Sequence, residues 1–493
     1  MRGKVTLVGA GPGDPGLLTQ KGREASEGAE GVVYDSLGRA AILALMPEGA
    51  EKINVGKESS NHLVPQEQIT RILLEKAQQG HNVVRLKGGD PFLFGRGGEE
   101  LELLVEHGIA FEEIPGVTSA IAAPAYGGIP VTHRDCCSSL HIITGHQRAG
   151  KELEIDFEAL VRTRGTLVFL MGVTALPAIC KGLLDAGMDP DMPAATVERG
   201  TTPGQRRVNA TLATLPQAAA EARVKSPAVI VVGKVCALAE DFDWFDKLPL
   251  KGRRVVVTRP RERAGTLSGR LRKLGAEVWE YPCIETVPIH PCPALESVEL
   301  SRYEWLVLTS PAGVDALWRW LDGCGKDARA LGQLKLAAIG PGTARELACH
   351  GLRADYVPKV YDAAHLGQGL PAAGRVLILR AEEGSPALTD GLRARNIAFD
   401  DVATYRTVYA NPRSEQLRQA VEEGEAGIVT FTSASTVKGF VASVGEDADF
   451  SRMVGACIGE QTAAEARKHG IPVTVAREAT MEALLDVITA LHD

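Results

Sequence analysis

Short apolar runs recur along the chain, and each ends in glycine, in a hydroxyl residue or in a charged one. In the first half these runs are Val5–Val8, Val32–Tyr34, Ile53–Val55, Val83–Lys87, Thr166–Met171, Ala194–Gly200 and Ala228–Val232. Their length and β-branched content predict strands, with helix-like segments such as Glu99–His107 between them. Ile114–Thr132 carries no charge and by length could pass for a membrane span. Pro115, Pro124 and Pro130, with Gly116, Gly127 and Gly128, argue instead for a buried loop, a short helix and a second loop.

Asp246–Gly252 is short, charged and contains Pro249, the marks of a linker. Beyond it the pattern repeats. Arg254–Arg259 (RVVVTR) matches Arg375–Arg380 (RVLILR), Leu308-Thr309-Ser310 matches Phe431-Thr432-Ser433, and Ile339-Gly340 matches Ile458-Gly459, each at an offset of about 120 residues. In each copy apolar strands alternate with helix-like segments, which implies two similar parallel α/β units. Thr309, Ser310, Thr343, Thr432, Ser433 and Thr462 fall at or just after strand ends. There they could cap the following helices or, because a helix N-terminus attracts anions, hold a ligand.

Composition narrows the partners. A chain of 493 residues exceeds one core and implies about two to four domains. A hydrophobic share of 45% and a charged share of 24% are those of a globular protein. The net charge of -8 gives no general attraction to nucleic acid or to a negative membrane surface, so neither is expected as a partner. Nine cysteines occur without a CxxC pair, and Cys136 and Cys137 are adjacent. This fits reduced thiols in a cytoplasmic protein, with no metal site expected. Residues 1–7 carry no long apolar stretch behind their charges, so no signal peptide is expected.

The chemistry gathers at glycine-rich strand ends. Val83–Lys87 runs directly into Gly88-Gly89-Asp90-Pro91-Phe92-Leu93-Phe94-Gly95-Arg96-Gly97-Gly98, where missing side chains let backbone approach a ligand. Val5–Val8 ends in Gly9-Ala10-Gly11-Pro12-Gly13-Asp14-Pro15. A dinucleotide fold also places a glycine turn here, with Asp35 at about the distance of its ribose-binding acid. The details disagree: the third glycine falls at Asp14, Pro12 removes an amide donor, and the Asp14 carboxylate would repel a pyrophosphate. A cationic ligand such as a sulfonium suits this loop better, and a tight turn without ligand is the plain alternative. Asp35 and Lys57 follow the second and third runs, where open α/β sheets put their chemistry and where solvated loop charges are also common.

Val5–Lys21, Leu86–Glu100 and Pro115–Arg134 together resemble uroporphyrinogen-III C-methyltransferases of the tetrapyrrole methylase family, over about the first half of the chain. GGDPFLFGRGGEE and PAYGGIPVTHR are the specific runs. The resemblance implies S-adenosylmethionine as cofactor and two methylations that turn uroporphyrinogen III into precorrin-2. By motif it assigns Pro12, Gly88, Gly89, Asp90, Leu93, Thr118, Ser119, Met171, Gly200 and Ala228 to cofactor contact, Asp35 as proton acceptor and Lys57 as proton donor. Gly127 stands where the family more often has alanine or serine, and Gly38 where valine is usual. Only four residues precede Val5, so the dehydrogenase and chelatase module of some sirohaem synthases is not expected.

The repeat, the TS turns, the IG-x-x-T turns and Tyr405-Arg406-Thr407 resemble uroporphyrinogen-III synthases, from Arg253 to about Leu485. That family implies a cofactor-free cyclisation of hydroxymethylbilane with inversion of the last pyrrole ring. It also implies two crossings between lobes, near Cys283–Pro288 and Tyr405–Asn411, with substrate in the cleft and Tyr405 assisting loss of the hydroxyl group. Much of the catalysis would come from holding a floppy chain in one geometry.

The expected architecture is therefore α/β throughout: a tetrapyrrole methylase fold of two α/β subdomains over 1–245, a linker over 246–252, and a two-lobed, parallel-sheet synthase fold over 253–493. Lobe one would take 253–285 and 410–493, and lobe two 289–405. The partners expected are small tetrapyrroles, and the resemblance leaves room for a homodimer through the methyltransferase half. Both substrates are polycarboxylates, which accounts for Arg96, Arg134, Arg259 and Arg380 near strand ends, Arg96 and Arg134 being the substrate candidates of the first half. Two rivals stand beside this reading. One is an oxidoreductase that binds a dinucleotide in the first half; the other is a hinged ligand-binding module without catalysis in the second.

Overall fold

The computed structural model describes residues 3–35, 40–43, 46–47, 49–56, 64–145, 154–259, 261–410 and 414–491. The chain divides into two compact units, Met1–Gly252 and Arg253–Asp493.

In the first unit, β1 (Lys4–Gly9), β2 (Gly31–Tyr34), β3 (Glu51–Asn54), β4 (Val83–Lys87) and β5 (Ala110–Ile114) form one sheet in the order β3-β2-β4-β1-β5. All of its pairings are parallel. Because side chains alternate along a strand, Val5, Leu7, Val33 and Val83 reach one core while Val8, Val32, Val84 and Leu86 reach another. Both faces are thus covered, as a parallel sheet requires. In this order β1 lies between β4 and β5, whereas a dinucleotide fold places it between β2 and β4.

The second sheet contains β6 (Leu140–Thr144), β7 (Thr166–Leu170), β8 (Pro193–Glu198), β9 (Arg206–Thr211) and β10 (Ala228–Val232), in the order β6-β7-β10-β8-β9. Only β6 and β7 are parallel; β10 runs against both β7 and β8, and β8 against β9. β9 is invisible to the hydrophobic pattern because RRVNAT is an edge strand with no fully buried residue. Between the two sheets in sequence, the helix Ser119–Tyr126 stands where a short helix is expected. Pro124 does not break it: the proline lies inside, and the helix ends only at Gly127.

The second unit also holds two five-stranded sheets. Its strands are β11 (Arg254–Val257), β12 (Glu277–Glu280), β13 (Ile284–Pro288), β14 (Trp305–Leu308), β15 (Lys335–Ala338), β16 (Val376–Ala381), β17 (Phe399–Tyr409), β18 (Ile428–Phe431), β19 (Val454–Cys457) and β20 (Val473–Val475). One sheet runs β12-β11-β18-β19-β20 and is wholly parallel. The other runs β13-β17-β16-β14-β15, parallel except for β13 against β17.

The two sequence copies are therefore not two successive bodies. Each has given its first strand to the other: β11 lies beside β18, and β16 beside β14. The exchange follows from two crossing strands that pair with each other, from Ile284 opposite Tyr409 to Pro288 opposite Tyr405. Among the described residues no helix is long and apolar enough to cross a membrane.

Candidate active sites

In the first unit three strand ends meet through backbone alone. Ala10 N donates to Lys87 O at 2.7 Å, and Gly89 N donates to Gly11 O at 2.9 Å, so the loops after β1 and β4 are tied together. A Cβ on Gly9 would lie 2.4 Å from Gly116 Cα, and a Cβ on Gly116 would lie 2.1 Å from Gly89 O. No side chain fits at these contacts, so glycine is required on steric grounds. Asp90 locks the arrangement: its carboxylate accepts from Phe92 N at 2.9 Å, Leu93 N at 3.0 Å and Gly116 N at 3.1 Å. Thr118 accepts from Ala120 N at 3.2 Å and so caps the helix that begins at Ser119.

The second sheet brings one edge to this junction. Ala228, at the start of β10, pairs with Glu198 at the end of β8, and because β10 also runs against β7, Met171 stands at the same edge. Gly200 lies against the helix that starts at Ser119, where a Cβ would come 2.3 Å from Ala123 Cβ. Met171 is 51% exposed with a φ of 54°, which aims it out of the sheet rather than into the core. Leu93 packs against the cluster that contains Ala123, Val197 and Val229. Pro12, Gly88–Asp90, Leu93, Thr118, Ser119 and Gly200 thus share one neighbourhood, with Met171 and Ala228 at its second-sheet edge.

Asp35 directly follows β2, which pairs with β4, and its Oδ2 lies 3.6 Å from Arg85 Nη2. Behind it is a buried charge cluster that the motifs do not announce. Glu100 accepts from Lys87 Nζ at 2.6 Å, from Arg85 Nε at 3.2 Å and from Gln66 Nε2 at 2.8 Å. Burial alone would push the Glu100 carboxyl up, but Arg85 and Lys87 outweigh it and hold it below the ordinary value. Lys87 is lowered, chiefly by burial and then by Arg85, against the opposing pull of Glu100. The signal available in sequence was two basic residues at i and i+2 in an otherwise apolar strand, which puts both on one face. Lys57, Gly38 and Asn411 lie outside the described residues.

Arg96 and Arg134 are both exposed. Arg96 Nε donates to both oxygens of Glu99 at 3.0 Å, so its charge is already paired at the loop surface.

In the second unit four strands each run into a helix N-terminus. After β14, Ser310 Oγ accepts from Gly313 N at 3.0 Å and caps Pro311–Gly323. After β18, Ser433 and Thr436 cap Ala434–Val444 reciprocally. After β15 and β19 the capping residues are Gly340 and Gly459, with no side-chain cap bond. Capping is thus correct for Ser310 and Ser433 but not for Thr343 and Thr462, which sit at the third helical position, too far along to reach back as caps. Thr343 and Thr462 are buried, while Thr309 and Thr432 are half-buried at the strand ends.

Tyr405 lies on β17, and its hydroxyl is 2.7 Å from Ser310 Oγ. Thr309, Ser310 and Thr343 therefore follow strands of the sheet that contains Tyr405, and Thr432, Ser433 and Thr462 follow strands of the other. Arg380 differs from the role expected of it: Nε donates to Asp401 at 2.8 Å and Nη1 to Ser385 O at 2.6 Å, so its charge is neutralised internally.

Comparison with known proteins joins the two units. Residues 4–216 match the family of tetrapyrrole (corrin/porphyrin) methylases, and residues 265–486 match uroporphyrinogen-III synthase HemD. The porphyrin biosynthesis protein HemD of Ruminiclostridium josui is 49% identical over 98% of this chain and 97% of its own length. An S-adenosyl-L-methionine-dependent uroporphyrinogen III methyltransferase of Methanosarcina barkeri is 53% identical over 48% of this chain and 93% of its own. The siroheme synthase of Gluconobacter oxydans is 49% identical over 47% of this chain, which spans about half of that protein. Both resemblances read from the motifs are borne out, and the chain belongs to the porphyrin biosynthesis HemD family, with a tetrapyrrole methylase and a uroporphyrinogen-III synthase in one polypeptide.

Proposed function

We propose that the chain carries out two consecutive steps: the second unit cyclises hydroxymethylbilane to uroporphyrinogen III, and the first methylates that product twice to precorrin-2. The observation that carries the methyltransferase reading is the side-chain-free junction of Gly9, Gly89 and Gly116, flanked by the carboxylates of Asp14 and Asp90. Carboxylates beside this close-packed backbone suit a ligand with a positive centre and disfavour a pyrophosphate. S-adenosylmethionine supplies, when bound, an electrophilic methyl group on a sulfonium. Gly88–Asp90, Thr118, Ser119 and Gly200 would hold it by backbone, with Pro12, Leu93, Met171 and Ala228 around it. Asp35 takes the proton released when a pyrrole carbon is alkylated, and Lys57 supplies or balances one. Arg85 holds Asp35 in place from within the sheet.

In the second unit Tyr405 donates a proton to the departing hydroxyl group of the linear tetrapyrrole. Its hydroxyl is already set by Ser310. The glycine-capped helix ends at Gly340 and Gly459 offer main-chain amides to substrate carboxylates. A homodimer through the methyltransferase half goes with this reading, supported by Val105 and Phe111, which are 60% and 43% exposed there. A cytoplasmic setting goes with it too, supported by nine free cysteines.

Incubation with hydroxymethylbilane, with and without S-adenosylmethionine, tests both steps by their products. Uroporphyrinogen III alone in the first case and precorrin-2 in the second are expected. Uroporphyrinogen I, formed when the linear tetrapyrrole closes unaided, would leave the second unit a binding module only.

A further inference from the structure

The segment that reads as an interdomain linker is built into the first unit. Leu250 is fully buried, and Phe245 is 5% exposed. The ring centroid of Tyr126 lies 4.8 Å from that of Phe245 and 4.9 Å from that of Trp244, and Trp244 Nε1 donates to Ala125 O at 3.1 Å. Lys251 Nζ donates to Asp246 Oδ1 at 2.6 Å and to Gln205 O at 2.8 Å. Gln205 is itself buried, donating through Nε2 to Tyr126 O at 3.0 Å and accepting through Oε1 from Thr201 N at 2.9 Å.

Tyr126 and Thr201 then grip the loop after β1. Tyr126 donates its hydroxyl proton to Asp14 Oδ2 at 2.7 Å, and Asp14 N donates to Thr201 Oγ1 at 3.2 Å. Thr201 is held at a φ of 68°, a conformation a β-branched residue adopts only under constraint. Burial first, and then Asp14, push the Tyr126 phenol up, so it stays a proton donor to that carboxylate at any working pH.

We propose that Trp244–Lys251 is a positioning strap for the methyltransferase site: through Gln205, Tyr126 and Thr201 it sets the shape of the loop that carries Pro12 and Asp14. Lys251, Gln205 and Tyr126 are positioning residues, since each acts through another group rather than on the substrate. The strap rests on the S-adenosylmethionine reading and adds to it what fixes the loop. Only Gly252 and Arg253 separate Lys251 from β11, so the end of the first unit's cofactor support coincides with the start of the second unit.

The test is titration of the full-length chain with S-adenosylhomocysteine, comparing wild type with Tyr126→Phe, Lys251→Met and the double variant. Tyr126→Phe keeps the ring packing and removes only the bond to Asp14. Each single change should raise the dissociation constant about fivefold to tenfold. Turnover at saturating cofactor should stay within about twofold, and Lys251→Arg should restore most of the affinity. Because both residues act on one loop, the double variant should weaken binding by less than the product of the two single effects. Lys251→Met with wild-type affinity but a lower melting temperature would make the strap purely structural and overturn the proposal. Fully multiplicative effects would overturn the coupling through Tyr126. A wild-type chain that does not bind the probe would refute the cofactor reading itself, and this proposal with it.

Discussion

Glu100→Gln tests what the buried charge cluster contributes. The carboxylate is fully buried and faces Lys87 Nζ at 2.6 Å and Arg85 Nε at 3.2 Å, with Gln66 as a third donor. Glutamine keeps one acceptor oxygen but turns an NH2 group toward donors, and it takes the buried counter-charge from both cations, leaving Arg85 with Asp35 at 3.6 Å. Breaking a buried pair in this way costs about 3–5 kcal/mol, a large part of the ~5–15 kcal/mol that holds a domain together. For a unit of this size that lowers the melting temperature by roughly 6–20 °C.

The pH dependence has a definite sign. In the wild type the lowered carboxyl of Glu100 contributes stability above its ordinary range near 4.5 that is lost as pH falls through its lowered value. Lys87 is lowered too, so its charging penalty is full below its lowered value and is relieved as pH rises. Without Glu100, Lys87 loses the partner that opposes this lowering, and the deficit of the variant should shrink as pH rises toward the ordinary lysine value of 10.5. Calorimetry on the full-length chain, following the transition that S-adenosylhomocysteine shifts, reads both effects. Adding Lys87→Met removes the unpaired ammonium and should recover at least about half of the loss. A single variant that melts within about 2 °C of wild type at pH 7, or whose deficit does not shrink as pH rises, refutes the role of Glu100 as the counter-charge.

Asp35→Asn should lower methyl transfer by about 100-fold or more while S-adenosylhomocysteine binds normally; a normal rate in a merely destabilised protein would remove Asp35 from the chemistry. Gly116→Ala places a Cβ 2.1 Å from Gly89 O and should weaken cofactor binding about tenfold or more, the ~1–3 kcal/mol of an overpacked contact. Gly98→Ala, where no atom lies within 4 Å of the new Cβ, is its control, and equal effects of the two would refute the steric account. Tyr405→Phe should slow formation of uroporphyrinogen III from hydroxymethylbilane about tenfold or more with the melting temperature nearly unchanged, and undiminished turnover would exclude the phenol from the reaction.

The glycine loops were legible in the sequence because their constraint is local. A strand that ends in Gly88-Gly89 or Gly9-Ala10-Gly11 announces close backbone approach whatever it approaches, and the apolar runs that feed them have the length of strands. The TS turns at Ser310 and Ser433 were legible for the same reason, since a cap needs only its own helix.

What the loops approach is not local. Gly116 meets Gly9 and Gly89 only because β1 lies between β4 and β5, an order that no single stretch encodes. The same holds for Glu100, which in sequence is one of two acids at the start of a helix and in the fold is the counter-charge of Arg85 and Lys87. It holds also for Asp246–Lys251, whose charge and proline read as a linker until Gln205 is placed beneath it and Tyr126 beneath the preceding Trp244 and Phe245. The repeat shows the division most plainly. Matching motifs identify two copies, but hydrophobic period and turn chemistry carry no information on which sheet a strand joins. That depends on the pairing of β13 with β17 and on which cores Val256 and Leu377 can enter, and such long-range contacts exist only once the chain has closed on itself.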